Sequence, residues 1–397
     1  WLTEAEYAAA YYRDFFYYSR TKNPEALIMA RPVDSWDFIY LSYAPHDVMF
    51  SGWVGDQDPT FDGMQNALRN MFHSAWRNYL NFGSDTAGYR SGDRTKELFV
   101  RWSQMSAFCP LFENGGNNDH RPWSYDTDNN NNQTLNIYRN FVNIHYELIP
   151  FWLSAGTECY AKNISVMDPL AEDTLLPGHS WDYILGGDIL VGPIVENSTQ
   201  KKIDFPRGNN WVDWWDGSMY KGGNSHTFEV PLEEFPVFTR QGAIIPMSVS
   251  TDSSMYGTKE SKNSYTIVIQ GLAEGHHSKN IYEWKGHGMS VEYSFSEHNQ
   301  MLHVVATPHE KSVVLVIRSV RLSESVDVAD KIAGKMMEQV LAKTVPNGNE
   351  CFKMLHANEQ GWCVRPVAGN SELVDLIIKP AHSGFGNLLT IRGISSQ

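Results

Sequence analysis

Four charged residues fall at or just past the ends of four apolar runs. Arg31 follows "PEALIMA", Asp56 follows "VMFSGWVG", Asp85 closes "YLNFGSD" and Glu113 closes "PLFE". A charge at the end of a buried strand sits at the rim of a sheet, where a polar substrate can reach it. Any one of these acids, taken alone, is an ordinary turn residue or helix cap. Three in series, with Trp53, Tyr89 and Trp123 nearby in the chain, make a layout for holding a polar molecule from several sides. Carboxylates among aromatic rings point to a sugar. Cleaving a glycosidic bond takes one carboxyl to protonate the leaving oxygen and a second to attack or to activate water. The donor must keep its proton near neutral pH, which a partly desolvated pocket beside a Trp achieves. Asp56 is the expected donor and Trp53 part of its apolar wall, in a closed pocket lined by Arg31, Trp53, Asp56 and Asp85.

Positioning these residues requires strands separated by helices. "WLTEAEYAAAYYRDFFYYSR" opens with a capping box, Thr3 with Glu6, and carries Tyr11 and Phe15 at helical spacing. Met64, Ala67, Leu68, Met71 and Phe72 step around one face of a second helix. Leu98, Phe99, Trp102 and Met105 mark a third, and residues 135–153 a fourth. Strand and helix therefore alternate to about Ala155, and the strands are apolar throughout, as parallel strands covered on both faces are. Four such units are half of a (β/α)8 barrel; a four-stranded open sheet is the competing reading. After about residue 165 short strands split by Gly, Pro and Asn take over ("DILVGPIV", "NWVDWWDG", "AIIPM", "SYTIVIQG", "SVVLVIRSV"), which fits two β-sandwich domains. The expected domains are 1–165, 166–250 and 251–397, with a linker or long connection near residue 250. "DTDNNNNQT", from Asp126 to Thr134, reads as a polar surface loop.

The bulk composition agrees. The 397 residues exceed one ordinary core, and 42% hydrophobic with 20% charged residues is the balance of a folded protein. A formal charge of −14 argues against nucleic acid, whose phosphates call for Lys and Arg in excess, so no nucleic-acid partner is expected. No apolar run approaches the ~20 residues of a membrane span. The histidines are scattered and no CxxC pair occurs, so neither a metal site nor a cofactor is expected. Cys351 and Cys363 lie between Gly-containing polar segments and are expected to close a disulfide; Cys109 reads as a buried thiol, though Cys159 could reach it. Sequons at Asn132, Asn163 and Asn197, with that disulfide, lean toward a glycoprotein of the secretory pathway, extracellular or lysosomal/vacuolar.

Longer stretches resemble glycoside hydrolase family 31. The family's W-x-G-D-N matches Trp53 to Gln57, G-x-D-I-G-G-F matches Gly83 to Tyr89, and E-L-x-x-R-W-x-Q-x-x-A-F-x-P matches Glu97 to Pro110. G-x-x-L-L-V-x-P-V matches Gly186 to Val195, P-V-F-x-R-x-G-A-I-I-P matches Pro236 to Pro246, and Y-x-D-D-G resembles the stretch from Ile281 to Gly288. The resemblance implies a retaining, exo-acting α-glycosidase, α-glucosidase-like, in an α/β chain that is the second half of a (β/α)8 TIM barrel followed by two β-sandwich domains. It places the acid/base on Asp56, the sugar-holding Arg on Arg31 and a further substrate Asp on Asp85. Arg101 and Trp102, on a barrel helix, are expected to pack.

Two departures shape the expectation. The family's nucleophile motif, W-x-D-x-N-E, is absent and belongs by position before Trp1. An N-terminal segment of the same protein is therefore expected to complete the barrel and supply the nucleophile. The family's R-N-H after F-x-P-x-F is replaced by Glu113, Asn114, Gly115 and Gly116, with His120 the candidate to reach the vacated place. With Gln57 and Tyr89, this opens α-galactosidase or sulfoquinovosidase specificity, or a non-catalytic sugar-binding or scaffold homologue. The substrate-facing set is Arg31, Trp53, Asp85, Tyr89 and His120, with a carbohydrate as the partner.

Overall fold

The computed structural model describes residues 2–36, 39–42, 44–126, 132–170, 180–284, 286, 288–307, 309–330, 335–336, 351–353, 355, 361–367, 370–380 and 387–397. Most of the polar loop expected around residues 126–134 lies outside them. The chain divides into two compact units, drawn differently from the three segments read along the sequence. The first comprises 1–142, 155–203 and 227–236, the second 143–154, 204–226 and 237–397.

The first unit is built on strand–helix alternation. Helix α1, Glu4–Lys22, starts at the Thr3–Glu6 capping box. Strand β1 is Met29–Ala30, and a hairpin that the sequence pattern did not announce follows, β2 Val33–Trp36 with β3 Ile39–Ser42. Then come β4 Ser51–Trp53, α2 Phe61–Trp76, β5 Phe82–Asp85, α3 Lys96–Ala107 and β6 Leu111–Glu113. The order β1-β4-β5-β6 is parallel at every step. This is a half-barrel sheet, with strands shorter than the apolar runs that contain them. Gly52 and Gly83 let the strands approach: a Cβ on either would collide with the carbonyl oxygen of Ala30 or Leu111. Helix α2 buries the predicted stripe Met64, Ala67, Leu68, Met71 and Phe72, and Thr60 caps it by accepting from the Gly63 N–H at 3.0 Å.

Two differences have physical reasons. The single helix expected over 135–153 is two, α4 Gln133–Glu147 and α5 Ile149–Lys162. Pro150 has no N–H to donate and fits only a helix's first turn, so a new helix begins there. On α1 the aromatic residues do not form a buried stripe. Tyr7, Tyr11, Phe15, Tyr17 and Tyr18 stand exposed, and Phe16 alone of these aromatics is buried, its ring 6.0 Å from that of Phe50.

The second unit is sheet-rich. Strand Ser312–Asp330 pairs in parallel with Ser264–Gln270 and antiparallel with Asn370–Lys379 over its first part, then with Asn387–Ser395. The change of partner falls at a register shift between Ile317 and Val320, where Ser319 takes φ 55°. The next strands, Met301–Ala306, Met289–Ser296 and Gly275–Ile281, are antiparallel. One core holds Ile267, Ile269 and Leu315 together with Val291, Tyr293, Val304 and Ile391, so two sheet faces close on each other as a sandwich. The stretch near residue 250, expected as a linker, is pinned. Glu147 accepts from the Ser250 and Thr251 N–H groups at 3.0 and 2.8 Å, and Tyr256 is fully buried. Cys351 and Cys363 are joined, with Cα atoms 6.1 Å apart; Cys109 and Cys159 are buried free thiols.

Candidate active site

The candidate substrate-facing residues lie in the first unit, at the C-terminal ends of its parallel strands or in the loops that follow them. Strand β4 ends at Trp53, and the Val54–Gln57 turn that follows carries Asp56. The Gln57 side chain is spent on that turn, donating to the Val54 carbonyl at 2.8 Å. Arg31, just past β1, donates to Asp56 Oδ1 at 3.1 Å, and its guanidinium lies 5.6 Å from the Trp53 ring centroid. Trp53 thus lies against the arginine that holds the acid. The Arg31 and Asp56 side chains keep 32% and 40% of their surface exposed. The site is open here, where a closed pocket is expected, and its four charged residues sit at or just past the ends of β1, β4, β5 and β6.

Asp85 ends β5 and is paired in register with Glu113, which ends β6. In a parallel pair such side chains share a face on strands about 4.8 Å apart. Asp85 Oδ2 and Glu113 Oε1 are both out of water with no hydrogen-bond partner. Burial first, then the charges of Glu113 and Asp56, push the Asp85 carboxyl up to about 7, with Arg31 opposing. Burial also raises Glu113. Two neighbouring carboxyls that resist losing both protons, with oxygens left open, can accept hydroxyl donors from a bound molecule.

The surroundings hold this pair in place. Trp102 on α3 donates to Ser84 Oγ at 2.9 Å, one residue before Asp85. Arg101, fully buried, donates to the Val230 and Glu234 carbonyls at 2.8 and 2.9 Å. Both therefore pack, as their helix position predicts. Past Asp85 the chain turns through Ala87 and Gly88 at φ 64° and 82°, and Arg94 donates to the Ala87 and Gly88 carbonyls at 3.0 and 2.7 Å. This brace fixes Tyr89, which is partly exposed on the rim. His120 turns toward the same segment: its Nδ1 is 3.3 Å from Asn114 Oδ1, and burial followed by the Arg94 charge lowers its pKa, which favours a neutral ring. Trp123 stands exposed on a single 3-10 turn, Pro122–Ser124. No cluster of His, Cys, Asp or Glu suited to a metal occurs among the described residues. Asn132, Asn163 and Asn197 are exposed.

Sequence reasoning counts Glu113 among the strand-end acids and as the replacement of the family's arginine, but does not pair it with Asp85. Its partnership with Asp85 depends on strand register, for which one sequence carries no signal. Arg94 was missed as well; the signal available was a lone arginine following the glycine-rich turn "TAGYRSGD".

Fold and site together define a class: parallel-strand barrels that gather polar side chains at the C-terminal ends of their strands. Residues 42–155 match the glycosyl hydrolases family 31 TIM-barrel domain, and residues 165–245 match the glycosyl hydrolase family 31 C-terminal domain. Over these two stretches the chain is similar to glycosyl hydrolase family 31. It is 26% identical over 275 residues to an isomaltosyltransferase of Sporosarcina globispora, an alignment covering 66% of this chain and 24% of that protein. With an alpha-glucosidase of Mucor javanicus it shares 28% identity, covering 62% of this chain and 29% of the relative. Among solved structures, the cycloalternan-forming enzyme of Listeria monocytogenes superposes with a TM-score of 0.80 at 22% identity, over 98% of this chain and 36% of the other. A family 31 dextranase of Flavobacterium johnsoniae gives 0.74 at 20% identity, over 96% and 48%. The chain therefore spans about a quarter of the length of these relatives and between a third and a half of these structures.

Proposed function

We propose that the complete protein is a retaining, exo-acting α-glycosidase that removes a terminal α-linked glucosyl unit, with Asp56 as its acid/base. The observation that carries this reading is the Arg31–Asp56 pair at the ends of β1 and β4, beside the Asp85–Glu113 pair at the ends of β5 and β6. In the first step Asp56 gives its proton to the glycosidic oxygen while a carboxylate from an upstream segment attacks the anomeric carbon. The leaving sugar departs as an alcohol, and a glycosyl ester remains on the protein. In the second step Asp56 takes a proton from water, which attacks the same carbon and frees the nucleophile. Asp85 and Glu113 accept hydroxyl groups of the terminal sugar; Trp53, Tyr89 and His120 border it.

An upstream segment fits the architecture: four parallel strands are half of an eight-stranded barrel, and the exposed aromatic face of α1 is an apolar surface suited to cover. Specificity for an anionic sugar such as sulfoquinovose is disfavoured, because three carboxyl groups face one arginine. The exposed sequons and the Cys351–Cys363 bridge support a glycoprotein of the secretory pathway.

The test is the stereochemistry of the first product. The full-length protein acting on an aryl α-glucoside should release α-glucose first, seen by NMR before mutarotation. Release of β-glucose first would rule out retention. Binding without release would favour the sugar-binding homologue, and a preference for the α-galactoside would move the specificity.

A further inference from the structure

The second unit holds a cavity of about 870 Å³, remote in sequence from the barrel acids, on the stretch that resembles the family's Y-x-D-D-G. One wall is a fixed polar cluster. Glu283 accepts from the Tyr265 hydroxyl, lies 3.3 Å from His309 Nε2 and 3.5 Å from Lys311 Nζ. Lys311 also sits 4.6 Å from the Tyr265 ring centroid, and the Tyr265 and His309 rings meet edge to face at 5.1 Å. Against its partial burial, these partners hold the Glu283 carboxyl below its ordinary range. Beside this wall Trp284 is 81% exposed, the most exposed large apolar side chain among the described residues. It is presented by a turn in which the Gly286 N–H donates to the Glu283 carbonyl at 2.9 Å. Leu153 supplies apolar lining.

An indole face costs free energy in water unless something covers it. A rigid carboxylate, an ammonium and an imidazole beside it offer acceptor and donors to hydroxyl groups. The volume suits a short oligosaccharide. We infer that this cavity is a second, non-catalytic carbohydrate site, in which Trp284 stacks on a sugar ring of a neutral α-glucan while Glu283, His309 and Lys311 take its hydroxyls. The choice of α-glucan rests on the function proposed above; the site itself does not.

The experiment is affinity electrophoresis of the full-length protein in gels containing dextran or soluble starch, with Arg31→Ala as the barrel control. The expected result is retardation of wild type and Arg31→Ala alike. In Trp284→Ala the apparent dissociation constant should rise roughly tenfold, with hydrolysis of a small aryl glycoside unchanged. Trp284→Phe, which keeps a flat ring, should retain most of the binding. Trp284 is exposed, so its loss leaves the core intact. Retardation lost in Arg31→Ala, retardation kept in Trp284→Ala, or no retardation of wild type would each overturn the proposal. If the protein hydrolyses nothing yet is retarded through Trp284, the barrel reading fails and the second site stands.

Discussion

Asp85 in the barrel half and Asp375 in the sheet-rich unit are both nearly out of water, at 7% and 2% exposure, yet they are treated in opposite ways. Asp375 accepts from Arg318 Nε at 3.1 Å, from the Ser319 N–H at 3.1 Å and from Arg365 Nε at 3.0 Å. In spite of its burial, those cations hold its carboxyl below the ordinary range. Arg318 is itself satisfied, by the Trp214 carbonyl at 2.9 Å and the Tyr256 hydroxyl at 2.6 Å. Asp85 has a carboxylate neighbour, an unpartnered oxygen and a pKa pushed up to about 7. The difference separates two uses of a buried acid. Asp375 is neutralised on every side and ties strands together. Asp85 keeps one oxygen that no group among the described residues completes.

Breaking the paired acid should give the largest effect on stability. Asp375→Ala leaves Arg318 buried without its counter-charge, which should cost roughly 3–5 kcal/mol in the sheet-rich unit, read by denaturant unfolding. Arg365→Met is milder, because Asp375 keeps Arg318 and the Ser319 N–H. A loss of about 1.5–3 kcal/mol is expected for a charged hydrogen bond.

Asp85→Asn should behave in the opposite way, leaving stability at neutral pH unchanged within about 1 kcal/mol or raising it. The pH dependence is the sharper readout. Between its ordinary 3.8 and about 7 the folded protein keeps the Asp85 proton while the unfolded chain has lost it. Asp85 therefore makes stability fall as pH rises through that window. For Asp375 the sign reverses: its contribution is present above 3.8 and is lost as pH drops toward the folded value. Unfolding free energies measured from pH 4 to 8 should show a flatter decline in Asp85→Asn than in wild type. An unchanged slope would mean that Asp85 is not held protonated.

The smallest effect sharpens the pair itself. Glu113→Gln removes the charge next to Asp85, so Asp85 should ionise at lower pH. An ionised carboxylate accepts hydroxyls more strongly than a protonated one, so kcat/KM should rise with pH through about 7 in wild type and at lower pH in the variant. A pH profile that does not move would dismiss Glu113 as its neighbour in function.

The strand-end acids are visible in the sequence, whereas the buried ion pair of the sheet-rich unit is not. Asp56 and Asp85 announce themselves because each ends an apolar run, and the α2 stripe because its spacing is helical. Arg318 and Asp375 are 57 residues apart, and nothing local says that a long strand will bring them together. The Asp85–Glu113 register, the β2–β3 hairpin and the two-residue length of β1 are likewise set by packing across strands. The helix break at Pro150 is signalled by the proline, but the apolar spacing runs straight through it and points to one helix. The exposed aromatic face of α1 misled for the same reason: helical spacing shows that a face exists without showing what lies against it.

Asp56 is the central assignment, and its direct test is Asp56→Asn in the full-length protein on two α-glucosides. With a natural sugar leaving group the first step needs the proton, and the rate should fall by roughly 10²–10⁴-fold. With an activated aryl leaving group the first step should be spared while the second loses its base. A burst of aryl alcohol should then precede a slow steady state, and added azide should release the trapped sugar as a glucosyl azide of retained configuration. Equal losses on both substrates, with no burst and no azide product, would contradict the assignment and reduce the Arg31–Asp56 pair to a brace at the strand ends.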